Sequence, residues 1–527
     1  MQTISRIILS SFMIALFTCA SIAMPGDILK EFDTPATCPT GLTWDGKNLW
    51  TADRLSDSLY ALNINSDKVV KSMAAPGFIP LGLAWDGECL WVIDGEENRL
   101  NRIDLQTGVT LLSFEAPTSS PQGLTFDGRD LWLCDDRADK LMKISTGDGT
   151  VIKEFKAPSG APQGLTWDGK HLWCSDRKDD KIYMVEVEYG EVLMILDAPG
   201  KYSRGLAWVK GNLWNADYQS DKIYRLAVDD GSKYKLSEKR TEELLLTHEF
   251  RNYGPGKVNT LDVYFALPVN RPNQFILSKI YYEPEPKDFV IDRWGQRFAH
   301  FEAKDLPLSE RVRHSLKVKV NLFDVRWFVF PDKVGSMKQM PKDLIDRYTT
   351  DEDKYRVTDP VIAKAVKAAL DGEIRPYWIM RKIYKYVRDE LYYELAGGWN
   401  VAPAILERGN GSCSEFSFVF ISMCRAAGLP TKYVGSVVTR GDDASSDDVF
   451  HRWCECFLPG YGWVPIDPSG GDSDSPAQVA EYFGHLKNRF LITTEGGGDS
   501  KYMGWEYNGK EFWTSEGPVK IHTETVG

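Results

Sequence analysis

The sequence predicts a multidomain, mainly β protein in which an all-β propeller of five blades is followed by a β-sandwich and then by an α+β domain. Three observations carry this prediction. A 41-residue pattern repeats through the N-terminal half, alternating apolar residues follow it, and helical patterns begin past Pro331. The expected boundaries are 24–235 for the propeller, 238–332 for the sandwich and 340–527 for the α+β domain, after a signal peptide at 1–23.

Composition narrows the function classes. The chain has 527 residues, 43% of them apolar and 26% charged, which is typical of globular domains. Its net charge of −12, without a run of basic residues, argues against a nucleic-acid partner. Only seven histidines are present, so a His-rich metal site is not expected.

The first 23 residues are typical of a signal peptide. Arg6 supplies the positive charge, residues 7–17 are mostly apolar, and residues 21–23 form a small-x-small cleavage site. We therefore expect a periplasmic or secreted protein. The apolar stretch is too short to cross a bilayer, and no later segment is longer, so no transmembrane segment is expected. Phe17 and Thr18 fit poorly before a lipidated Cys19, so a lipoprotein is the less favoured alternative.

Eight cysteines remain after this segment, and they are sparse and lie mostly in apolar stretches. Most of them are interpreted as small buried hydrophobic residues rather than as a disulfide framework. No CxxC motif has a matching second pair, so a structural zinc site is not expected.

The repeat has a constant internal pattern. A Gly-Leu-x-Trp/Phe segment, ending in Asp-Gly in the first four copies, starts at Gly41, Gly82, Gly123, Gly164 and Gly205. Each copy continues with Leu-Trp and then with an aspartate, at Asp53, Asp94, Asp135, Asp176 and Asp217. Every unit contains short strand-like runs separated by turn residues, which is the pattern of one propeller blade.

The ends of the array predict how the ring closes. Residues 27–32 match the fourth strand of a unit but precede the first complete copy, and the last copy stops after its third strand, near Gly231. The N-terminal strand is therefore expected to complete the last blade.

The repeated aspartates have two interpretations: they line a channel and hold a cation, or they cap turns by accepting backbone hydrogen bonds. The second is favoured, because Asp commonly plays this part at turns. The pattern resembles several propeller families, including one with glutaminyl cyclase activity. Since the blades are nearly equivalent, we expect a scaffold or binding role for the propeller.

From about residue 242 to 330 the repeat is lost but alternation continues. Leu316, Val318, Val320 and Leu322 fall on one face of a strand. An antiparallel sandwich of immunoglobulin-like type is expected here.

Past Pro331 helices are predicted after Thr358 and after Pro376, and another begins near Ser412. Ser412 and Glu415 form a Ser-x-x-Glu capping box, which makes Cys413 the first residue of a buried helix. The free backbone amides and the dipole at this end of the helix favour a thiolate. The same amides are suited to stabilise an oxyanion on an attacked carbonyl group.

A strand carrying His451 and a returning strand ending at Asp467 form a hairpin across the turn at 459–462. The imidazole and the carboxylate are thus expected within hydrogen-bonding reach of each other. Cysteine, histidine and aspartate together match the roles of a thiol acyl-transfer triad.

These segments resemble the transglutaminase-like superfamily, within the papain-like fold. The resemblance rests on Gly-Ser-Cys-Ser-Glu at 411–415, Arg-Ala-Ala-Gly-Leu-Pro at 425–430, His-Arg-Trp at 451–453 and Gly-Trp-Val-Pro-Ile-Asp-Pro at 462–468. It implies that Cys413 is the nucleophile, His451 the general base and acid, and Asp467 the orienting group. Trp399 is the candidate for oxyanion stabilisation, and no cofactor is required.

The resemblance implies an exported thiol acyltransferase that forms a cysteine thioester from an amide and passes it to an amine or to water. Its expected substrate is a protein or peptide, with the propeller as a candidate recruiting module. Two alternatives stay open: a cysteine peptidase or amidase of the cell envelope that uses the same residues, and a non-catalytic binding protein built on the propeller.

Overall fold

The structure, a computed structural model, describes residues 23–229, 231–395, 399–441, 445–446, 448, 450–471, 473–496 and 498–527. The expected signal peptide, apart from Ala23, lies outside the described residues. None of the helices in these ranges is long and apolar enough to cross a membrane.

In the described part of the N-terminal half, five four-stranded antiparallel sheets are present, each one blade of a propeller. The strands, in chain order, are β1 (Ile28–Asp33), β2 (Pro39–Trp44), β3 (Leu49–Asp53), β4 (Ser58–Asn63), β5 (Lys68–Ala74), β6 (Pro80–Trp85), β7 (Leu90–Asp94), β8 (Arg99–Ile103), β9 (Thr110–Glu115), β10 (Pro121–Phe126), β11 (Leu131–Asp135), β12 (Lys140–Ile144), β13 (Val151–Lys156), β14 (Pro162–Trp167), β15 (Leu172–Asp176), β16 (Lys181–Val185), β17 (Val192–Asp197), β18 (Ser203–Val209), β19 (Asn212–Asp217) and β20 (Lys222–Leu226).

The ring closes as the sequence predicts. The N-terminal strand β1 pairs antiparallel with β20, from Ile28 opposite Leu226 to Asp33 opposite Lys222. The last blade is therefore β1-β20-β19-β18. The innermost strands β2, β6, β10, β14 and β18 contact one another in turn, and β18 contacts β2 again.

The repeated glycines lie where these innermost strands approach each other. A Cβ atom on Gly123 would lie 2.6 Å from the carbonyl oxygen of Gln163, and one on Gly205 would lie 2.6 Å from the backbone nitrogen of Leu42. Real Cβ atoms are not found at such distances from neighbouring backbone. Glycine therefore recurs every 41 residues because the strands at the axis leave no room for a side chain.

The repeated aspartates cap turns. The carboxylate of Asp53 accepts hydrogen bonds from the backbone N–H groups of Cys38 (2.6 Å) and Ser56 (2.8 Å). Asp176 does the same with Ala161 and Lys178, both at 2.8 Å. Through these hydrogen bonds, each aspartate links the loop before the first strand of its blade with the turn after the second strand.

The middle of the chain forms one continuous sheet. Six of the eight strands of this sheet come from the middle of the chain: β21 (Tyr234–Ala266), β22 (Gln274–Ile276), β23 (Tyr281–Glu283), β24 (Asp288–Ile291), β25 (Arg297–Leu306) and β26 (Arg311–Trp327). The long strand β21 pairs with β26 before Asn252 and with β25 after Gly256. Apolar residues of both halves share one core, so the sheet bends to enclose it in a sandwich-like way. The immunoglobulin-like type stays a prediction.

The remaining helices and strands follow Phe330. They are the 3₁₀ turns Pro331–Lys333 and Met337–Gln339, then α1 (Lys342–Tyr348), α2 (Pro360–Leu370), α3 (Pro376–Glu390), β27 (Tyr392–Tyr393), α4 (Ala402–Arg408), β28 (Asn410–Gly411), α5 (Cys413–Ala426), β29 (Thr431–Val438), β30 (Phe450–Leu458), β31 (Gly462–Ile466), α6 (Pro476–Ala480), β32 (His485–Leu486), β33 (Phe490–Gly496) and β34 (Gly509–Val526).

In this region α5 packs against a four-stranded sheet in the order β31-β30-β29-β33. The predicted fold class, a propeller and further β structure followed by an α+β domain, is confirmed. The last strand, β34, pairs with β21 and so joins the middle sheet. The bounds of the three domains stay predictions.

One blade packs against the C-terminal region. The outer strands of the other blades are largely exposed, but in β17 the run Leu193 to Leu196 is buried. Three of these four side chains share a core with apolar residues of α3 and α5. Helix α6 also contacts β17. The propeller therefore packs against the C-terminal region through the hydrophobic face of β17, whereas the outer strands of the other blades have no such face.

Candidate active site

The start of α5 is held in place from two sides. Helix α4 ends at Gly409, whose φ of 80° lets the chain turn back towards α5. The carboxylate of Glu415, fully buried, accepts hydrogen bonds from the backbone N–H groups of Ser412 and Asn400, both at 3.1 Å, and pairs with Arg408 at 2.9 Å. Glu415 thus fixes both the helix start and the segment that carries Trp399.

Cys413 is the first residue of α5 and is half-buried. Burial by itself raises the pKa of its thiol, but a hydrogen bond from His451, the charge of that imidazole and the backbone N–H of Arg452 lower it, and the net shift is downward. The site therefore favours the thiolate, which is the nucleophilic form.

His451 lies on β30, and Asp467 directly follows β31, the strand that pairs with β30. The Nε2 atom of His451 is 2.6 Å from Oδ2 of Asp467. Burial tends to lower the pKa of His451, but Asp467 and the Cys413 sulfur raise it to about 10. The Phe490 ring stacks on the imidazole at 5.3 Å. Since Nε2 is engaged by Asp467, Nδ1 is the nitrogen left for Cys413.

Asp467 has a partner that the sequence did not single out. Its Oδ1 atom accepts hydrogen bonds from the hydroxyl of Ser469 at 2.7 Å and from the Ser469 backbone N–H at 3.1 Å. Burial raises the pKa of this carboxyl group, but the charge and hydrogen bond of His451, with Ser469, lower it overall. Asp467 is thus held as a carboxylate facing the imidazole.

Arg452, next to His451 in sequence, is the second residue that sequence reasoning missed. Its guanidinium is fully buried and lies 4.6–5.2 Å from the centres of the rings of Trp399, Phe418, Tyr433 and Tyr507. It donates a hydrogen bond to the carbonyl of Trp505, and among the described residues its Nε and Nη1 atoms have no partner. Because side chains alternate along a strand, Arg452 points away from His451. It lies among these four rings, which we call the aromatic box.

Trp399 is one wall of that box. Its backbone has a φ of 52°, and its ring lies 6.0 Å from that of Tyr507. It also lines the same cavity as Cys413. The structure therefore brings together all four residues that the sequence proposed for the site: Cys413, His451, Asp467 and Trp399.

Of the cavities lined by described residues, two meet at His451 and share Tyr393 and Arg489. The first, of about 720 Å³, contains Cys413 and has mainly apolar and aromatic walls. The second, of about 780 Å³, lies on the Asp467 side, and charged residues such as Glu481 and Lys487, with Gln478 of α6, contribute to its walls. Substrate groups can thus approach the imidazole from two sides.

The cysteines that the structure describes are all free. Cys424, Cys454 and Cys456 are fully buried, as expected for core residues. Among the described side chains, no group of three or more His, Cys, Asp or Glu is placed to hold a metal ion.

Comparisons with known proteins place the C-terminal region in a family. Residues 364–468 match the model of the transglutaminase-like superfamily. No curated protein matches the chain.

Three solved structures give partial similarity. A candidate cysteine protease from Cytophaga hutchinsonii is 14% identical, with 55% of this chain and 92% of that one covered and a TM-score of 0.38. Glutaminyl cyclase of Myxococcus xanthus is 15% identical, with 38% and 96% covered and a TM-score of 0.35. Virginiamycin B lyase of Staphylococcus aureus is 22% identical, with 38% and 69% covered and a TM-score of 0.27.

The matched segment contains the helix that starts at Cys413 and the hairpin that carries His451 and Asp467. The chain therefore carries a transglutaminase-like domain at residues 364–468, preceded by a β-propeller.

Proposed function

We propose that this protein is an exported thiol acyltransferase of transglutaminase-like type that acts on a protein or peptide amide. The observation that carries the proposal is the 2.6 Å contact between the Asp467 carboxylate and the His451 imidazole, which lines the same cavity as Cys413. Export rests on the signal-peptide pattern of residues 1–23.

In the first half-reaction the Cys413 thiolate attacks the carbonyl carbon of the amide. A C–S bond forms and the carbonyl oxygen becomes an oxyanion. As the C–N bond breaks, the His451 imidazolium gives its proton to the leaving nitrogen, and ammonia or an amine departs. A thioester on Cys413 and a neutral His451 remain.

In the second half-reaction a primary amine or a water molecule attacks the thioester carbon. Neutral His451 accepts the proton of this nucleophile, the C–S bond breaks, and the thiolate and imidazolium are restored. Asp467 holds the imidazole in orientation and stabilises its charged form, as a third member of such a triad does.

The oxyanion needs hydrogen-bond donors. The backbone N–H groups at the start of α5 and the indole N–H of Trp399 are the candidates, because both border the cavity that contains Cys413. The second cavity, on the Asp467 side of His451, is the candidate route for the amine or the water.

The first test is the rate at which iodoacetamide labels Cys413 between pH 4 and 9, read by peptide mass spectrometry. We expect a thiolate well below the ordinary thiol pKa of roughly 8.5, and loss of this behaviour in His451→Ala. His522→Ala, which changes an exposed histidine on β34, is the matched control and should label like the wild type. Buried Cys454 serves as an internal reference for unfolding. An ordinary pH profile that His451→Ala leaves unchanged would overturn the proposal in favour of a non-catalytic binding protein.

The products decide between acyl transfer and hydrolysis. A glutamine-containing peptide is incubated with the wild type and with Cys413→Ser, with and without a fluorescent primary amine. Incorporation of the amine supports acyl transfer. Release of ammonia or cleavage of the peptide with no incorporation at any amine concentration supports the peptidase or amidase alternative, in which only water resolves the thioester.

A further inference from the structure

One end of the propeller carries side chains that differ from blade to blade. The position after each repeated aspartate is occupied, in blade order, by Arg54, Gly95, Asp136, Arg177 and Tyr218. The position before each repeated glycine is occupied by Thr40, Leu81, Gln122, Gln163 and Arg204. Because positions related by the repeat lie at the same end of a closed ring, these side chains surround the axis together.

The polar groups here are in contact. The Nη2 atom of Arg177 lies 3.5 Å from Oδ2 of Asp136, and Gln163 donates to the same oxygen at 3.2 Å. The guanidinium of Arg204 lies 5.6 Å from the centre of the Tyr218 ring, and Tyr218 meets Tyr202 edge-on. Asp136 belongs to the third blade and Arg177 and Gln163 to the fourth, so the first two contacts join neighbouring blades, whereas the two aromatic contacts lie within the last blade.

Positive charge is concentrated on one side of this end. Arg54, Arg177 and Arg204 come from three neighbouring blades, the first, fourth and last of the ring, and we call them the arginine cluster. Burial is the main cause that lowers the pKa of Arg204. The nearby positive charges of Arg177 and Arg54 lower it further. Asp136 is the acidic residue among the ten positions. The repeated aspartates next to these positions are buried, and their carboxylates accept hydrogen bonds from backbone N–H groups.

The cluster has unused hydrogen-bonding capacity. The Nε atom of Arg204 is buried and has no partner among the described residues. A buried guanidinium N–H without an acceptor costs free energy, and an anion at the axis would remove that cost. Arg54 and Arg177 are exposed, and Tyr202 and Tyr218 are 43% and 40% exposed, so a ligand can reach the site.

We propose that this end of the propeller binds an oxyanion group of a ligand, a carboxylate or a phosphate, through the arginine cluster. Guanidinium groups bind both anions through paired N–H donors. Tyr202 and Tyr218 provide aromatic surface beside the anion. The site is separate from Cys413, and the inference does not depend on the proposed acyl transfer.

The test uses the whole protein in isothermal titration at low salt. The probes are N-acetyl-triglutamate amide and inorganic phosphate, and the neutral peptide N-acetyl-triglutamine amide is the reference ligand. We expect saturable binding of at least one anion and none of the neutral peptide. A response to the acidic peptide alone assigns the carboxylate source, a response to phosphate alone assigns the phosphate source, and a response to both assigns a general oxyanion site.

Variants locate the site. Arg54→Gln and Arg204→Gln should each weaken anion binding at least tenfold. Arg129→Gln, at a propeller arginine whose side chain is 88% exposed in a turn, is the matched control and should bind like the wild type. Arg54 is exposed, so its replacement keeps the test valid if Arg204→Gln fails to fold.

Absence of saturable binding in the wild type overturns the inference, as does equal affinity in Arg54→Gln and in the control. The labelling profile of Cys413 is measured on the same variants and should stay unchanged. The failure of either proposal is thereby distinguishable from the failure of the other.

Discussion

The guanidinium of Arg381, on α3, donates a hydrogen bond to the carboxylate of Glu191, just before β17, at 2.5 Å. Its Nη2 atom also donates to the backbone carbonyl of Val192 at 2.7 Å. Arg381 is 3% exposed, so this ion pair is buried between the propeller and the helices that carry the active site. It adds a directional polar contact to the hydrophobic face of β17.

Replacing Arg381 with alanine should lower the free energy of unfolding by roughly 3–5 kcal/mol, because Glu191, whose side chain is only 19% exposed, is left without its partner. Urea unfolding, followed by tryptophan fluorescence, measures the loss. Arg375→Ala is the control, since the side chain of Arg375 is 64% exposed, and it should change the free energy by less than about 1 kcal/mol. Equal effects of the two variants would contradict a buried role for the ion pair.

The pH dependence of kcat/KM should follow the Cys413–His451 pair. The pKa of Cys413 is lowered, so activity should already be present below the ordinary thiol range; the pKa of His451 is raised to about 10, so activity should fall only as the pH passes that value. The acidic and alkaline limbs of this pH profile therefore report the coupled Cys413–His451 pair rather than either residue alone.

Asp467→Asn should move the alkaline limb to lower pH, because the imidazolium loses the carboxylate that stabilises it. It should also reduce kcat by about 10²–10⁴-fold. Glu481→Gln is the control, since Glu481 lines the same cavity without contacting His451, and its alkaline limb should stay in place. An unmoved limb in Asp467→Asn would refute this assignment of Asp467.

Trp399→Phe tests the indole N–H as an oxyanion donor while keeping an aromatic ring against Arg452. We expect kcat to fall by roughly 10²–10³-fold with little change in KM, which is the usual effect of removing one such donor. Tyr507→Phe, in the same aromatic box, keeps the ring and should leave kcat nearly unchanged. If Trp399→Phe behaves like Tyr507→Phe, then Trp399 only packs against Arg452.

Gly123→Ala tests the explanation for the repeated glycines. Its new Cβ would meet the carbonyl of Gln163 at 2.6 Å, so we expect a loss of about 1–3 kcal/mol in thermal or chemical unfolding. Gly147→Ala is the matched control, because its Cβ would meet only the Ser145 hydroxyl, at 3.5 Å. That variant should stay within about 0.5 kcal/mol of the wild type. A neutral Gly123→Ala would show that the inner strands can move apart.

The sequence alone determined the elements that depend on local or periodic rules. A constant repeat identified the blades, because each one is built from the same residues at the same spacing. The unmatched strand at 27–32 predicted how the ring closes, as the pairing of β1 with β20 confirms. The capping box put Cys413 at a helix start, and the turn at 459–462 brought His451 and Asp467 together, because a helix end and a tight hairpin depend mainly on residues nearby.

Only the tertiary structure decided what depends on contacts between distant segments. The pairing of β34 with β21 joins residues more than 240 positions apart, and nothing in the local pattern of residues 509–526 specifies that partner. The aromatic box around Arg452 and the arginine cluster of the propeller bring together side chains from separate segments in the same way. Local sequence fixes backbone conformation and the exposure of a face, whereas partner choice follows from complementary shape, burial and charge over the whole folded chain.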